Sequence, residues 1–185
     1  SFNAKDIEVV SFDENDFEIN GIFNDITDDK IRVIFSVPDN RKYYFQNDKL
    51  ISRSSKIIGR FPVVILTPAD HAITQGSPAE RRKLVDSIIS QASSTYLDIL
   101  LDYNKTLKQR AVVLNRLREN FTKSVVAELD AWSEKLIENG VELIFHRIKF
   151  INSFNKYVSD SYKKIIGDKE NPSIQYIFLE DTTED

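Results

Sequence analysis

Residues 62–86 read PVVILTPADHAITQGSPAERRKLVD, and within them the spacing of apolar residues changes from that of a strand to that of a helix. Pro62-Val63-Val64-Ile65-Leu66 is a short continuous apolar run, which predicts a buried strand ended by a Thr-Pro turn. Ser77-Pro78-Ala79-Glu80 then has the form of a capping box, with Ser77 as N-cap, Pro78 at the first helical position and Glu80 reaching back to the cap. Behind it, Leu84, Val85, Ile88 and Ile89 fall on one helical face.

Upstream, the pattern is that of strands. Ile7-Glu8-Val9-Val10-Ser11-Phe12, residues 17–23, 31–37 and 42–45 are β-branched or aromatic runs separated by Asp-, Asn- and Pro-rich turns, which predicts an antiparallel meander. Residues 51–59 predict a short helix. Downstream, Ser93 or Ser94 opens a second helix. In it Tyr96, Leu100, Tyr103, Leu107, Arg110, Leu114 and Leu117 form a heptad seam interrupted only at Arg110. Such a helix runs roughly 40 Å. A third helical stretch opens at Thr122 or Ser124, uses apolar positions from Val126 through Leu143 and Ile151 to Ile165, and ends at Gly167. Ile174-Gln175-Tyr176-Ile177-Phe178-Leu179 then returns to strand. The expected fold class is α+β. Residues 1–76 supply antiparallel strands, 77–167 an elongated antiparallel helical arm, and 168–185 a returning strand with an acidic tail.

Composition narrows the chemistry. With 41% hydrophobic and 29% charged residues, the 185-residue chain can bury a core. It has no Cys, which removes disulfides and thiolate chemistry, and His71 and His146 are too few for a His-built metal centre. Gly21, Gly59, Gly76, Gly140 and Gly167 stand far apart and no Gly-Lys-Ser/Thr occurs, so the sequence contains no phosphate-cradling loop. Ile177-Phe178-Leu179-Glu180-Asp181 has the outline of a Walker B strand without a nucleotide loop to serve. No apolar run reaches the roughly 20 residues of a membrane span, so no membrane partner is expected. The sequence begins at Ser1 and contains no Met, and is expected to be an excised piece of a longer protein.

Charge is uneven. Residues 1–40 carry a net −7, whereas residues 41–60 carry +5 through Arg41, Lys42, Lys49, Arg53, Lys56 and Arg60 against Asp48. The overall charge of −4 disfavours tight DNA binding by this chain alone. The basic stretch is either a local phosphate footprint or a sheet edge guarded by cations.

Taken together, the strand, the turn at Thr67, Pro68 and Asp70, the cap at Gly76, Ser77 and Pro78, and the Arg81-Arg82 pair followed by Asp86 closely resemble the RecF family of bacterial recombination-repair proteins. There, a Ser/Thr-Pro-x-Asp turn and a Gly-x-Pro-x-x-Arg-Arg-x-x-x-Asp helix start occur together. The resemblance continues through Tyr96, Tyr103, Leu107-Lys108-Gln109-Arg110 and Leu129-Asp130-Ala131-Trp132, and so covers nearly the whole chain. It implies antiparallel strands of an ABC-type ATPase lobe, related to SMC heads, plus the helical lid. Neither the Walker A loop nor the signature motif is present, so no catalytic, cofactor or metal residue is expected here. ATP and Mg are implied for the intact protein only.

The resemblance further implies ATP-dependent binding of DNA at gaps or single-strand/double-strand junctions, help in recombinase loading, RecR as partner, an ATP-dependent homodimer, and a cytoplasmic, nucleoid-associated location. Under it, Arg41, Lys42, Arg53, Lys56 and Arg60 become candidates for a duplex-facing surface. Arg81, Arg82 and Lys83 become candidates for contact with a phosphate or a partner carboxylate, because cations near a helix N-terminus oppose its dipole. An intramolecular ion pair is the alternative for them. Two other classes compete: a non-enzymatic coiled-coil interaction module, and the head of another SMC-like ATPase.

Overall fold

The computed structural model describes residues 4–24, 28–65 and 67–177. Contacts divide the chain into two compact units, residues 1–58 and 59–185. Residues 59–76, expected with the strands, therefore fold with the helices.

The first unit is an antiparallel meander of β1 (Asp16–Asn24), β2 (Asp28–Ser36), β3 (Arg41–Gln46) and β4 (Lys49–Ile51), in the order β1-β2-β3-β4. Its turns explain its register. Asn47 and Asp48 both adopt positive φ, 48° and 63°, which makes the β3–β4 connection a two-residue hairpin of the twist-compatible kind. Asp39 closes the β2–β3 turn by accepting from the Ser36 hydroxyl at 2.9 Å and the Tyr43 hydroxyl at 3.0 Å. Ile31 and Phe35 are buried on β2, and Phe17 stacks on Phe35 with ring centroids 5.5 Å apart. Asp29, also buried, accepts from the Gln46 side chain at 2.8 Å and the Asn47 side chain at 3.1 Å. A buried acid is tolerable when its oxygens are so engaged.

Three local expectations change here. Ile7–Val10 is not a strand, because Asp6–Val9 forms the single-turn α1, closed by the Lys5 N–H donating to the Glu8 carboxylate at 3.0 Å. Residues 51–59 hold the end of β4 and a 3-10 turn at Ser54–Lys56 rather than an α-helix. Residues 62–65 form no strand: the Val63 N–H donates to the Gln91 side chain at 2.7 Å, and Val64 is 98% exposed; Leu66 lies outside the described residues.

The second unit is helical: α2 (His71–Gln75), α3 (Pro78–Ala92), α4 (Ser94–Glu119) and α5 (Lys123–Ile166). Ser93 ends α3, its N–H donating to the Ile89 carbonyl at 2.8 Å. It also begins α4, its hydroxyl accepting from the Tyr96 N–H at 3.2 Å. Thr122 caps α5 in the same way through the Val125 N–H at 3.3 Å. The α4–α5 pair is an antiparallel hairpin. Arg116 meets Glu128 near the joint, Arg110 donates to the Ser133 hydroxyl at 2.9 Å, Tyr103 faces Gly140, and Tyr96 packs against His146. Arg110 thus bridges the helices through a hydroxyl rather than a carboxylate.

Helix α5 is continuous over 44 residues, roughly 66 Å. Tyr96, Tyr103, Arg110 and Leu117 hold the seam as expected. Thr106 and Val113 are buried, while Leu107 is exposed and Leu114 half-buried, so between Tyr103 and Leu117 the alternate seam positions lie one residue earlier than the leucines, whereas Ile99 and Leu100 both pack on the core. Ile165 is also exposed. The centre of the packing is Ile89, Tyr96 and Leu143, one residue from each long helix, joined by Val85, Ile99, Leu100, Tyr103 and Phe150. No helix among the described residues is long and apolar enough to cross a membrane.

A 3-10 turn at Gly167–Lys169 reverses the chain, which then runs back along α5. Asn155 clasps this return: its side chain donates to the Ile174 carbonyl at 2.9 Å and accepts from the Ile174 N–H at 2.8 Å. The expected strand at 174–179 is absent over residues 174–177, whose backbone is met by an α5 side chain instead of a neighbouring strand; residues 178–185 lie outside the described ones. Gly140 leaves room beside Tyr103, since an added Cβ would stand 3.6 Å from its ring. Replacing this mid-helix glycine by alanine should raise stability by about 0.5–1 kcal/mol, read as a higher melting temperature.

Candidate nucleic-acid interface

The segment that resembles a family motif forms a run of closed turns. The Asp70 carboxylate accepts from the Thr67 N–H, and the Asp70 N–H donates to the Thr67 carbonyl at 3.0 Å, with Pro68–Asp70 as a 3-10 turn between them. This turn closes on itself, so its acid is already engaged. Helix α2 ends at Gly76, whose N–H donates to the Ala72 carbonyl at 2.9 Å. A Cβ at Gly76 would stand 2.4 Å from that oxygen, which is why the position requires glycine. Gly59 is required for a second reason, a φ of 86° with Gln91 backbone directly above it.

Ser77 has N-cap backbone geometry and Pro78 sits in the first turn, but the capping box is not formed. The Glu80 N–H donates to the Ser77 carbonyl at 3.1 Å rather than to its hydroxyl. Tightening the first turn in this way satisfies the same donor.

The cations of α3 have separate fates. Arg81 reaches back and donates to the Gly76 carbonyl at 3.0 Å. Arg82 and Lys83 are exposed and make no ion pair or hydrogen bond among the described residues. The intramolecular pairing considered for these two is therefore not seen among the described residues.

Asp86 is an anchor. Its carboxylate accepts from Arg147 Nε and Nη2, each at 2.8 Å, and from the Tyr96 hydroxyl at 2.6 Å. Arg147 lies on α5, so one acid ties α3, α4 and α5 together. The Arg147–carboxylate contact is the two-pronged geometry that a planar guanidinium favours. Arg147 also lies 3.5 Å from the Tyr176 hydroxyl on the returning segment. Burial, then the hydrogen bond from its own hydroxyl to Asp86, then the Asp86 charge, raise the Tyr96 hydroxyl pKa far above its usual 10.0. Arg147 is held protonated by Asp86, against the opposing effect of burial.

Sequence reasoning missed Arg147. Its signal is position: it stands four residues from Leu143 and four from Ile151, on the buried stripe of α5.

The other candidate cations have separate surroundings. Arg41 and Lys42 are successive β3 residues and point to opposite faces. Lys42 is paired with Asp6 at 2.7 Å, and the Arg41 guanidinium lies over the Tyr43 ring. Arg53 and Lys56 are exposed beyond β4, whereas Arg60 belongs to the second unit. The five glycines stay apart along the chain and the Thr67–Asp70 turn is closed, so these residues do not fit a nucleotide.

Comparison with known proteins follows the same residues. No family model matches the chain. It is 35% identical over 176 residues to DNA replication and repair protein RecF of Chloroherpeton thalassium, covering 94% of this chain and 47% of that protein. It is 32% identical over 187 residues to the protein of the same name from Salinibacter ruber, covering 100% of this chain and 45% of that one. The chain thus spans about half the length of the curated relatives it matches. Two solved structures of the recombination mediator protein RecF, described as RecF-ATPrS and RecF-ATP in the RecFOR pathway, superpose with TM-scores of 0.80 and 0.79 at 30% identity, over 88% of this chain and 43% of theirs. The Salinibacter alignment spans the whole chain, the Thr-Pro-x-Asp turn, the paired arginines and Asp86 included, and the solved structures share the fold over most of it: the chain belongs to the RecF family.

Proposed function

We propose that this chain is the strand-and-lid portion of a RecF-like ATPase that binds DNA at gaps when ATP is bound and assists recombinase loading. The observation that carries this reading is the fold-level match to RecF described with ATP, at 30% identity over 88% of this chain. In this reading the intact protein is an ABC-type ATPase that uses ATP with Mg, and its nucleotide-gripping loop is supplied by sequence other than these residues. A second copy and RecR are its protein partners, and it works in the cytoplasm at the nucleoid. Arg41, Lys42, Arg53, Lys56, Arg60, Arg82 and Lys83 are the candidate phosphate contacts, giving position rather than sequence preference. Arg81, which holds the Gly76 carbonyl, is a lesser contributor.

The test compares the intact protein with and without ATP and Mg on a gapped duplex. ATP should tighten binding at least tenfold, and affinity should fall steeply with salt. Equal affinity with and without ATP, or binding indifferent to salt, would overturn the reading. This 185-residue chain alone should not bind ATP at micromolar concentrations.

A further inference from the structure

Helices α3, α4 and α5 enclose an open cleft of about 430 Å³ whose polar lining includes Arg82, Lys83, Ser87, Ser90, Asn104 and Arg147. The charge inside it is unbalanced. Asp86, the one acid of the lining, is fully engaged by Arg147, which leaves the two positive charges of Arg82 and Lys83 without a counterion among the described residues. Both are exposed on α3 just past its first turn, so an incoming anion would meet two cations that no acid among the described residues already holds. Neutral donors line the same wall: the exposed side chains of Ser87 and Asn104, and Ser90, buried at 6% exposure, whose hydroxyl has no hydrogen-bond partner among the described residues.

We infer that this cleft is a phosphodiester site for one DNA strand, with Arg82 and Lys83 as its cations and Ser87 and Asn104 as neutral donors. The inference rests on the DNA-binding reading and narrows it to one place. A phosphate group suits the lining better than a lone carboxylate, because its oxygens can accept from two cations and two neutral donors at once. The cleft holds one or two phosphates, not the width of a duplex, so it serves a single strand or a strand at a gap edge.

The experiment uses this chain and a fluorescein-labelled gapped duplex, read by anisotropy from about 50 mM salt upward. Arg82→Gln with Lys83→Gln should weaken binding at least tenfold and lower the slope of log affinity against log salt by about 2, one contact per lost cation. Lys156→Gln with Lys164→Gln, charge-matched on the distal part of α5, should lower affinity far less. Asn104→Ala gives a smaller loss without a change of charge, and the amides of Ser90 and Asn104 should shift in NMR spectra on titration with the duplex. Equal losses from the two charge-matched pairs, with no shift at Ser90 or Asn104, would sink the cleft while leaving DNA binding intact. Absence of any binding by the unmodified chain at the lowest salt would overturn the cleft, and gapped-duplex binding by the intact protein with ATP and Mg then tests the DNA reading separately.

Discussion

Arg147→Ala should destabilise the helical unit by about 3–5 kcal/mol, the largest loss expected from any single charge in the chain. The reason is what remains. Asp86, at 16% side-chain exposure, would keep its charge with only the Tyr96 hydroxyl to offset it, and three helices would lose their common tie. Asp86→Ala should cost a similar amount by stranding the guanidinium. Replacing both, as Asp86→Leu with Arg147→Met, should cost much less than the two single losses together, because a packed apolar pair carries no desolvation penalty. Urea unfolding of the four proteins measures these losses. A loss below about 1 kcal/mol for Arg147→Ala would show that water satisfies the acid and that the network is no lock. The result also assigns Asp86, a residue of the family motif, to holding the lid together rather than to touching a ligand.

Leu143→Ala should be the second large effect, about 2–5 kcal/mol. Leu143 is 1% exposed and lies where α3, α4 and α5 meet, against Ile89 and the fully buried Tyr96. Removing three carbons there leaves a hole that three helices with capped ends cannot readily close. The denaturation midpoint should fall with the slope unchanged, as for a loss of packing without a change in the surface exposed on unfolding. Ile137→Ala, two turns away on the same helix but 66% exposed, should change stability by about 0.5 kcal/mol or less. Similar losses at the two positions would contradict this placement of the core.

Much of this was legible in the residues, and the exceptions share a cause. The meander from Phe17 to Gln46 follows from alternation and from turns whose Asp and Asn residues accept positive φ. The helix starts at Ser93 and Thr122 follow from hydroxyls that reach the first free N–H groups. The seam of α4 was readable at Tyr96, Tyr103, Arg110 and Leu117 but not between them. There Leu100, Leu107 and Leu114 compete with Ile99, Thr106 and Val113, and the packing of α5 decides. Val63, Val64 and Ile65 read as a buried strand because local composition cannot reveal whether a pairing neighbour exists. Asp86 and Arg147 are 61 residues apart, and no periodicity links an acid on one helix to a base on another. The candidate cations were identifiable as basic; only tertiary structure separates Arg81 and Lys42, which are occupied, from Arg82 and Lys83, which are not.

Ser93 has a mechanical consequence. Because one residue closes α3 and opens α4, there is no slack between them, and any twist imposed on the paired-arginine end must be delivered as torque to the long hairpin rather than absorbed by a loop. A strand seated beside Arg82 would therefore be felt at the root of α4, and two glycines inserted after Ser93 would slacken this joint, leaving the Asp86 tie to carry the load.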